Sequence, residues 1–417
     1  MHEDAEDRHP GTNLIGSIRE KRVHIRTFGC TYNMGDTLKL REVLKHQQCT
    51  LVDDPRDADT VIVNTCMVIG ATERKVLRQL RALRHHPLYV TGCMAVVGQE
   101  TIKSACNASI IHPDEISAAY RKIGTIPVRS PGIVQVCHGC QGHCTYCITR
   151  KARGRLVSQG IEEIASEIRA LAGNGAVEIQ LTGQDLSAWG ADIGSDFGQL
   201  LSEINSIPGK FMIRVGMMNP STLYPVLDSI GSAFKGEKIF SLIHVPVQSG
   251  SDTVLGRMKR GYTCDKVIDL VRRFRTFIPD VSLHTDVICG YPGETEEDFV
   301  ETLALLSRIQ PDKVNITRFS PRPGTPASLE KDMPDRFKKE RSRALRIHAE
   351  AITRQKNASL LGQEVQVVIT EHPREGSSMG RTANYTGVVI PCYLEPGTVR
   401  NVRLVEDRIY YFLGELG

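Results

Sequence analysis

Three thiols crowd into one short loop, Cys140-Gln141-Gly142-His143-Cys144-Thr145-Tyr146-Cys147, with three and then two residues between them. A loop of this spacing can wrap three thiolates around a single metal centre, and soft thiolates select zinc or iron–sulfur. A closed zinc site wants a fourth protein ligand. None follows Cys147 at finger spacing, although Cys137 and His138 lie just upstream and can complete one. The spacing therefore favours a 4Fe–4S cluster and leaves structural zinc as the second reading. Directly after the loop, Arg150-Lys151-Ala152-Arg153-Gly154-Arg155 carries four positive charges and no acid. Basic residues beside a metal loop can meet phosphates where the chemistry takes place.

A second set of thiols is spread along the first quarter of the chain. Residues 22–125 alternate strand and helix patterns: Val23 to Phe28, Thr60 to Val63 and Leu88 to Val90 read as strands, with helical spacing over Asp36 to His46 and Ala71 to His85. This order predicts a parallel sheet covered by helices. Each strand ends in a cysteine, at Phe28-Gly29-Cys30, Asn64-Thr65-Cys66 and Thr91-Gly92-Cys93. In open α/β sheets ligands bind outside the carboxyl ends of strands, so Cys30, Cys66 and Cys93 are expected to meet at one edge and share a metal. Cys49 and Cys106 fit no such position and are expected to be structural. Cys137 and Cys289 lie outside both triads and are not expected to be ligands.

The elements that must position the Cys140 loop come next. Strand patterns at Ile133–Val136, Val177–Leu181, Phe211–Val215, Phe240–Val247, Val281–Cys289 and Lys313–Phe319 alternate with helical ones, as a partial barrel of parallel strands requires. Barrel sites sit at the carboxyl ends of the strands, and the cysteine loop follows the first. Gly-rich polar loops such as Thr182 to Asp185, His244 to Ser251 and Asp286 to Glu294 are expected on the same rim. Lys331 to Lys356 reads as one basic helix, with nine Lys and Arg against four acids. Residues 360–417 switch to short alternating β-runs, the signature of a small β-barrel.

The chain has 417 residues, 41% apolar and 24% charged, with a net charge of +4. These values suit a soluble protein of two or three domains and argue only weakly for nucleic acid by global charge. Met1 to Asp7 is acid-rich with no apolar stretch after it, and residues 1–20 are expected to be a disordered leader. A cytoplasmic protein is expected, and the twelve cysteines then read as metal ligands or core residues.

On Thr27 to Asn33, Asn64-Thr65-Cys66, Thr91-Gly92-Cys93, the Cys140/Cys144/Cys147 loop and Val245 to Ser251, nearly the whole chain resembles the radical-SAM methylthiotransferase family. The resemblance implies an α/β protein: an N-terminal parallel α/β domain (21–125), a central partial (β/α)6 radical-SAM barrel with its basic helix (126–357), and a small C-terminal β-barrel of the TRAM type (358–417). It implies two 4Fe–4S clusters, with Cys30, Cys66 and Cys93 holding the auxiliary one. Cys140, Cys144 and Cys147 would hold the cluster that binds S-adenosylmethionine (SAM). Tyr146 would lie against the SAM adenine, Gly183, Gln184 and Asp185 would meet its amino group, and Gln248 and Ser249 its ribose. Reductive cleavage of SAM would then abstract hydrogen from adenine C2, and the second cluster would present a methylated sulfur there.

The run Cys147 to Gly154, together with Cys30 to Thr37, resembles the archaeal and eukaryotic branch that acts on N6-threonylcarbamoyladenosine at position 37 of tRNA. Isopentenyl-adenosine in tRNA, or a ribosomal-protein aspartate, is the alternative substrate. Arg150, Lys151, Arg153, Arg341, Arg343 and Arg346 are the expected RNA contacts, and a nearby arginine can pair with the threonylcarbamoyl carboxylate. The implied partners are the tRNA anticodon stem-loop and an electron donor such as ferredoxin or flavodoxin, with no membrane. A cobalamin-binding N-terminal domain lacks its Asp-x-His-x-x-Gly pattern here. A non-enzymatic zinc and RNA-binding protein is the remaining alternative.

Overall fold

The computed structural model describes residues 14–124 and 131–417. The chain divides into two compact units, Met1–Pro127 and Val128–Gly417. In the first unit the elements run β1 (Arg22–Thr27), α1 (Thr31–His46), β2 (Thr50–Leu51), β3 (Thr60–Thr65), α2 (Gly70–Ala82), β4 (Leu88–Gly92), α3 (Cys93–Val97), α4 (Gln99–Ala105), β5 (Ser109–Ile110) and α5 (Pro113–Ile123). The strands form one parallel sheet in the order β2-β1-β3-β4-β5.

β3 is buried along its whole length and reads as an apolar run because both of its faces are covered. Val61 and Val63 pack with Val76, Leu80 and Met94 on one side. Ile62 packs with Leu40, Leu44 and Ile116 on the other. The expected disordered leader, residues 1–20, does not hold at its carboxyl end. Residues 1–13 lie outside the described residues, but Ile15 and Ile18 are buried in the second of these cores. A pair of isoleucines spaced three apart finds an apolar groove on the helix side, which the polar composition around them conceals.

The second unit continues with β6 (Gly132–Gln135), β7 (Cys137–His138), α6 (Thr149–Arg153), β8 (Val157–Ser158), α7 (Ile161–Gly173), β9 (Glu178–Thr182), α8 (Phe197–Ser206), β10 (Met212–Val215), α9 (Pro220–Leu223), α10 (Leu227–Ala233), β11 (Leu242–His244), α11 (Asp252–Arg257), α12 (Cys264–Phe277), β12 (Ser282–Cys289), α13 (Glu296–Ile309), β13 (Lys313–Arg318) and α14 (Asp335–Ala358). Two parallel three-stranded sheets, β10-β9-β6 and β11-β12-β13, are joined by single bridges at Ile213–Ile239 and Met217–His244. The series β6-β9-β10-β11-β12-β13 is the expected partial barrel. β11 is shorter than the predicted Phe240–Val247 run. Pro246 has no N–H to donate, and Gln248 turns left-handed with φ 66°.

α14 leads into β14 (Glu364–Glu371), β15 (Ser378–Arg381), β16 (Gly387–Ile390), β17 (Val399–Asp407) and β18 (Tyr411–Leu416), which close as the barrel β14-β15-β16-β18-β17. Val367, Ile369, Val388, Val402, Leu404 and Phe412 fill it. A Cβ at Gly414 would stand 2.3 Å from the Val402 side chain, so so small a barrel admits only glycine there.

The hairpin between β15 and β16 docks on the amino-terminal mouth of the larger barrel. Ser241 N–H donates to Ala383 O at 2.8 Å. Tyr385 sets its ring 4.9 Å from Phe240 and donates its hydroxyl to Glu178 Oε1 at 2.6 Å. Among the described residues no helix is long and apolar enough to cross a membrane.

This docking generates a prediction. Replacing Tyr385 with Ala removes the ring packed edge-to-face on Phe240 and leaves a void, and should cost the second unit about 3 kcal/mol of stability. Tyr385→Phe should recover most of that, because Glu178 keeps Gln180 as a donor at 2.7 Å. Urea unfolding of the two variants measures the difference.

Candidate active site

The cysteine loop leaves the barrel at the carboxyl end of β6. β7 pairs antiparallel with β8 and bends the chain back over the rim. Gly139 sits there with φ 73°, and a Cβ on it would fall 1.8 Å from Arg155 O, so the turn requires glycine. Cys140 N–H then donates to Gly154 O at 3.2 Å and closes the loop. Amide N–H groups point at two of the sulfurs: Gly142 onto Cys140 Sγ at 3.2 Å and Thr149 onto Cys147 Sγ at 3.4 Å. The third, Cys144 Sγ, receives Arg260 Nη1 at 3.2 Å.

Burial pushes the Cys140 thiol up to about 11 and raises Cys147 as well. Such thiols become thiolates only when a cation or metal takes up the charge. Among the described residues no group of three or more His, Cys, Asp or Glu side chains is gathered to hold a metal ion. The donor set nonetheless fits a cluster. It offers thiols alone, amide donors to two of them and a guanidinium to the third, and hydrogen bonds of this kind tune iron–sulfur centres.

Arg260 is 7% exposed. Besides Cys144 it donates to Asn219 Oδ1 at 2.9 Å, Pro246 O at 3.1 Å and Tyr262 Oη at 3.0 Å. Sequence reasoning passed over it, because Lys259-Arg260-Gly261 looks like an exposed basic turn. Below the loop, Thr145 Oγ1 meets Tyr291 Oη at 2.8 Å and donates to Arg257 O at 3.0 Å. Tyr146 packs edge-on to Tyr291 with ring centroids 6.4 Å apart.

The predicted SAM contacts divide into two groups. Among the described residues Gln184 Oε1 is buried with no hydrogen-bond partner, an orphan acceptor on the rim. Gln248 holds a left-handed backbone, pinned by its N–H to Asp286 O at 2.8 Å and by Ile288 N–H to its own carbonyl at 2.9 Å. Such strain persists at sites that need a particular aim. Gly183 lies against Cys137, where a Cβ would meet Sγ at 2.6 Å.

Asp185 and Ser249, by contrast, spend their side chains inside the protein. Asp185 accepts from Ser187 Oγ at 2.8 Å, Asn219 N–H at 3.0 Å and Thr222 Oγ1 at 2.8 Å. Burial raises its pKa against those bonds. Ser249 Oγ accepts Ser251 N–H at 3.2 Å and faces Thr302 Oγ1 at 3.5 Å. Both residues hold the rim loops in place.

In the first unit the three cysteines stand at the carboxyl ends of adjacent strands. Cys30 caps α1, Cys66 follows β3 and Cys93 opens α3. β1 and β3 flank the point where the strand order reverses, the usual crevice of a doubly wound sheet. One side chain ties the three ends together. Asn33 Nδ2 donates to Phe28 O at 3.0 Å and Thr65 O at 2.8 Å, and Cys93 Sγ lies 3.9 Å from Asn33 Oδ1. Gly29, with φ 126°, makes room for it: a Cβ there would come within 2.7 Å of Asn33 Nδ2.

Comparison with known proteins agrees with this layout. A model of the Radical SAM superfamily matches residues 134–306. One of an uncharacterized protein family, UPF0004, matches residues 22–111. The chain is 37% identical to a probable threonylcarbamoyladenosine tRNA methylthiotransferase of Methanothermobacter thermautotrophicus, over 94% of this chain and 99% of that one. It is 35% identical to a protein of the same description from Pyrococcus horikoshii, over 95% and 99%. The chain belongs to the radical-SAM methylthiotransferase family. A solved radical S-adenosylmethionine methyltransferase from Kitasatospora setae, with cobalamin and a [4Fe-4S] cluster bound, superposes with a TM-score of 0.52 over 74% of this chain and 77% of that one. At 14% identity this speaks for the fold alone.

The basic residues of this methylthiotransferase do not all face outward. Arg341 is turned into the protein: its guanidinium pairs with Glu294 Oε2 at 2.5 Å and Glu296 Oε2 at 3.1 Å, and its side chain is 11% exposed. It braces α14 against the loop after β12 and is spent as an RNA contact. Arg343 and Arg346 are exposed on the same helix. Arg150 donates to Gly142 O at 3.2 Å and steadies the cysteine loop, and Lys151 reaches Gly324 O. Cys137 and Cys289 are both deeply buried, Cys289 against Lys338 O at 3.8 Å.

Iron analysis of the reconstituted methylthiotransferase tests these assignments. Wild type should hold about eight irons, the sum for two 4Fe–4S clusters. Asn33→Ala should lower this to about four by loosening the first unit's cysteines. Replacing Cys140, Cys144 and Cys147 with Ala should remove the other half, and Cys137→Ser should remove none. A triple variant that keeps all its iron reassigns the loop.

Proposed function

We propose that this protein is a tRNA methylthiotransferase that converts N6-threonylcarbamoyladenosine at position 37 to its 2-methylthio derivative. One observation carries the reading. A cysteine triad stands at the carboxyl edge of a parallel sheet in each unit, in a chain matched almost end to end by archaeal proteins described as threonylcarbamoyladenosine tRNA methylthiotransferases. When bound, two 4Fe–4S clusters and SAM supply the radical cleavage of SAM, removal of the C2 hydrogen and the methylated sulfur.

The chain's own residues prepare the setting. The amides of Gly142 and Thr149 and the guanidinium of Arg260 steady the thiolates of the Cys140 loop. Gln184 offers its unpartnered carbonyl to the SAM amino group. Tyr146 lends a ring face to the adenine, and Gln248 reaches the ribose from its strained turn. Arg343 and Arg346 grip the anticodon stem, with Arg150, Lys151 and Arg153 beside the reacting base. A ferredoxin or flavodoxin supplies the electrons.

Two measurements test this reading. Purified enzyme given one tRNA bearing threonylcarbamoyladenosine and one bearing isopentenyl-adenosine should methylthiolate the first, read by nucleoside mass spectrometry. Product on the second alone would move the protein to the other branch. Removing Arg343 and Arg346 together should weaken tRNA binding and lower the slope of log affinity against log salt by about two.

A further inference from the structure

The interior of the partial barrel is polar, and part of it serves none of the roles above. Strand alternation turns Arg214 of β10 and Lys313 of β13 inward. Their neighbours Ile213, Val215 and Val314 are buried on the helix side. Asn315, on the same face as Lys313, reaches Asp286 Oδ1 of β12 at 2.8 Å. The acids nearby are already engaged. Asp286 Oδ2 holds His244 Nε2 at 2.7 Å. Glu178 Oε1 accepts from Tyr385 Oη at 2.6 Å and Gln180 Nε2 at 2.7 Å. Arg381, from the docked hairpin, pairs with Glu371 at 3.2 Å.

Among the described residues Arg214 and Lys313 make no ion pair. Their contacts are with ring faces, Arg214 over Tyr385 at 5.6 Å and Lys313 over Tyr410 at 5.9 Å. Burial lowers the pKa of Lys313, and the nearby Arg214 and Arg381 lower it further. His284 between these strands is kept neutral by burial first and by its cationic neighbours next. Arg214 lies in register with Gln180 of β9 and Lys313 with His284 of β12, and like charges held half-buried on one inner face are costly until an anion joins them.

We propose that Arg214 and Lys313 form the pocket that receives the carboxylate of the threonylcarbamoyl group, and so determine which modified adenosine the enzyme accepts. This rests on the substrate reading given above. The hairpin around Tyr385 docks on the amino-terminal mouth, and the pocket takes a group carried in on the base that enters for reaction. A backbone phosphate, tethered to nucleotides on both sides, cannot follow a base inside a barrel, whereas a substituent on the base can. On adenine, C2 and the N6 substituent flank N1 on one edge. A base that offers C2 to the carboxyl ends of the strands therefore carries its N6 arm beside it, among the inward residues. An isopentenyl arm brings no charge and would leave both cations uncompensated, which disfavours it. The pocket takes over the role that sequence reading gave to an arginine beside the Cys140 loop.

The test compares anticodon stem-loops carrying plain adenosine or threonylcarbamoyladenosine at position 37, bound to the reconstituted enzyme at fixed salt and followed by fluorescence anisotropy. Wild type should prefer the modified loop. Arg214→Met and Lys313→Met should each lower affinity for it by about tenfold or more, the usual cost of losing a hydrogen bond to a charged group. Binding of the plain loop should be unchanged, and Arg214→Lys should keep most of the preference. Arg214→Gln, smaller and still polar, repeats the test should the Met variant melt early or lose iron. No preference in wild type, an unchanged preference in the variants, or equal loss on both loops (the mark of a phosphate contact) overturns the pocket. Wild-type enzyme that fails to modify threonylcarbamoyladenosine tRNA overturns the substrate reading and the pocket with it. Normal activity on that tRNA with no discrimination lost in the variants strikes the pocket alone.

Discussion

Parallel pairing delivers every strand's carboxyl end to one edge, and both candidate metal sites depend on that constraint. A side chain placed just after a strand arrives at the edge whatever the length of the helix that follows. Cys30, Cys66 and Cys93 are far apart in sequence yet end neighbouring strands of one sheet. The Cys140 loop, Gln184, Gln248 and the turn after β12 are likewise gathered by strands that pair in register. The helices supply apolar cover, and the chemistry needs only the ends.

Holding thiols at such an edge raises a second problem, since burial favours the protonated sulfur. The loop answers it with donors. Backbone amides reach two sulfurs and a buried guanidinium reaches the third. Arg260 is itself expensive to bury, and it is satisfied by Asn219, Pro246 and Tyr262 on three neighbouring segments. The same side chain therefore braces the loops around the rim and points charge at the Cys144 sulfur. In the first unit Asn33 does comparable bracing without charge.

Local signals of strong chemistry were legible in the sequence, and long-range pairings were not. The placing of cysteines at strand ends, the parallel strand order of both units and the small closed barrel could be read because spacing and periodicity are local. β15 carries little strand signal of its own, because Ser378-Met379-Gly380-Arg381 contains no β-branched residue and alternates weakly; its strand state comes from neighbours on both sides. Arg341 read as part of a basic face because the sequence does not show Glu294, which arrives from another loop to neutralise it. Asp185 looked like a ligand contact, but Asn219 and Thr222, from the segment after β10, claim both its oxygens. Arg260 was hidden for the converse reason, since two of its partners, Cys144 and Asn219, lie on segments distant in sequence.

The hairpin around Tyr385 changes what the C-terminal barrel is. Such small barrels are usually regarded as portable attachments that can be traded between enzymes. Here the attachment is keyed to the strand starts of the larger barrel, through Tyr385 on Phe240 and Glu178 and through Ala383 on Ser241. Exchanging it for another small barrel would then require a loop that matches the strand starts beneath it.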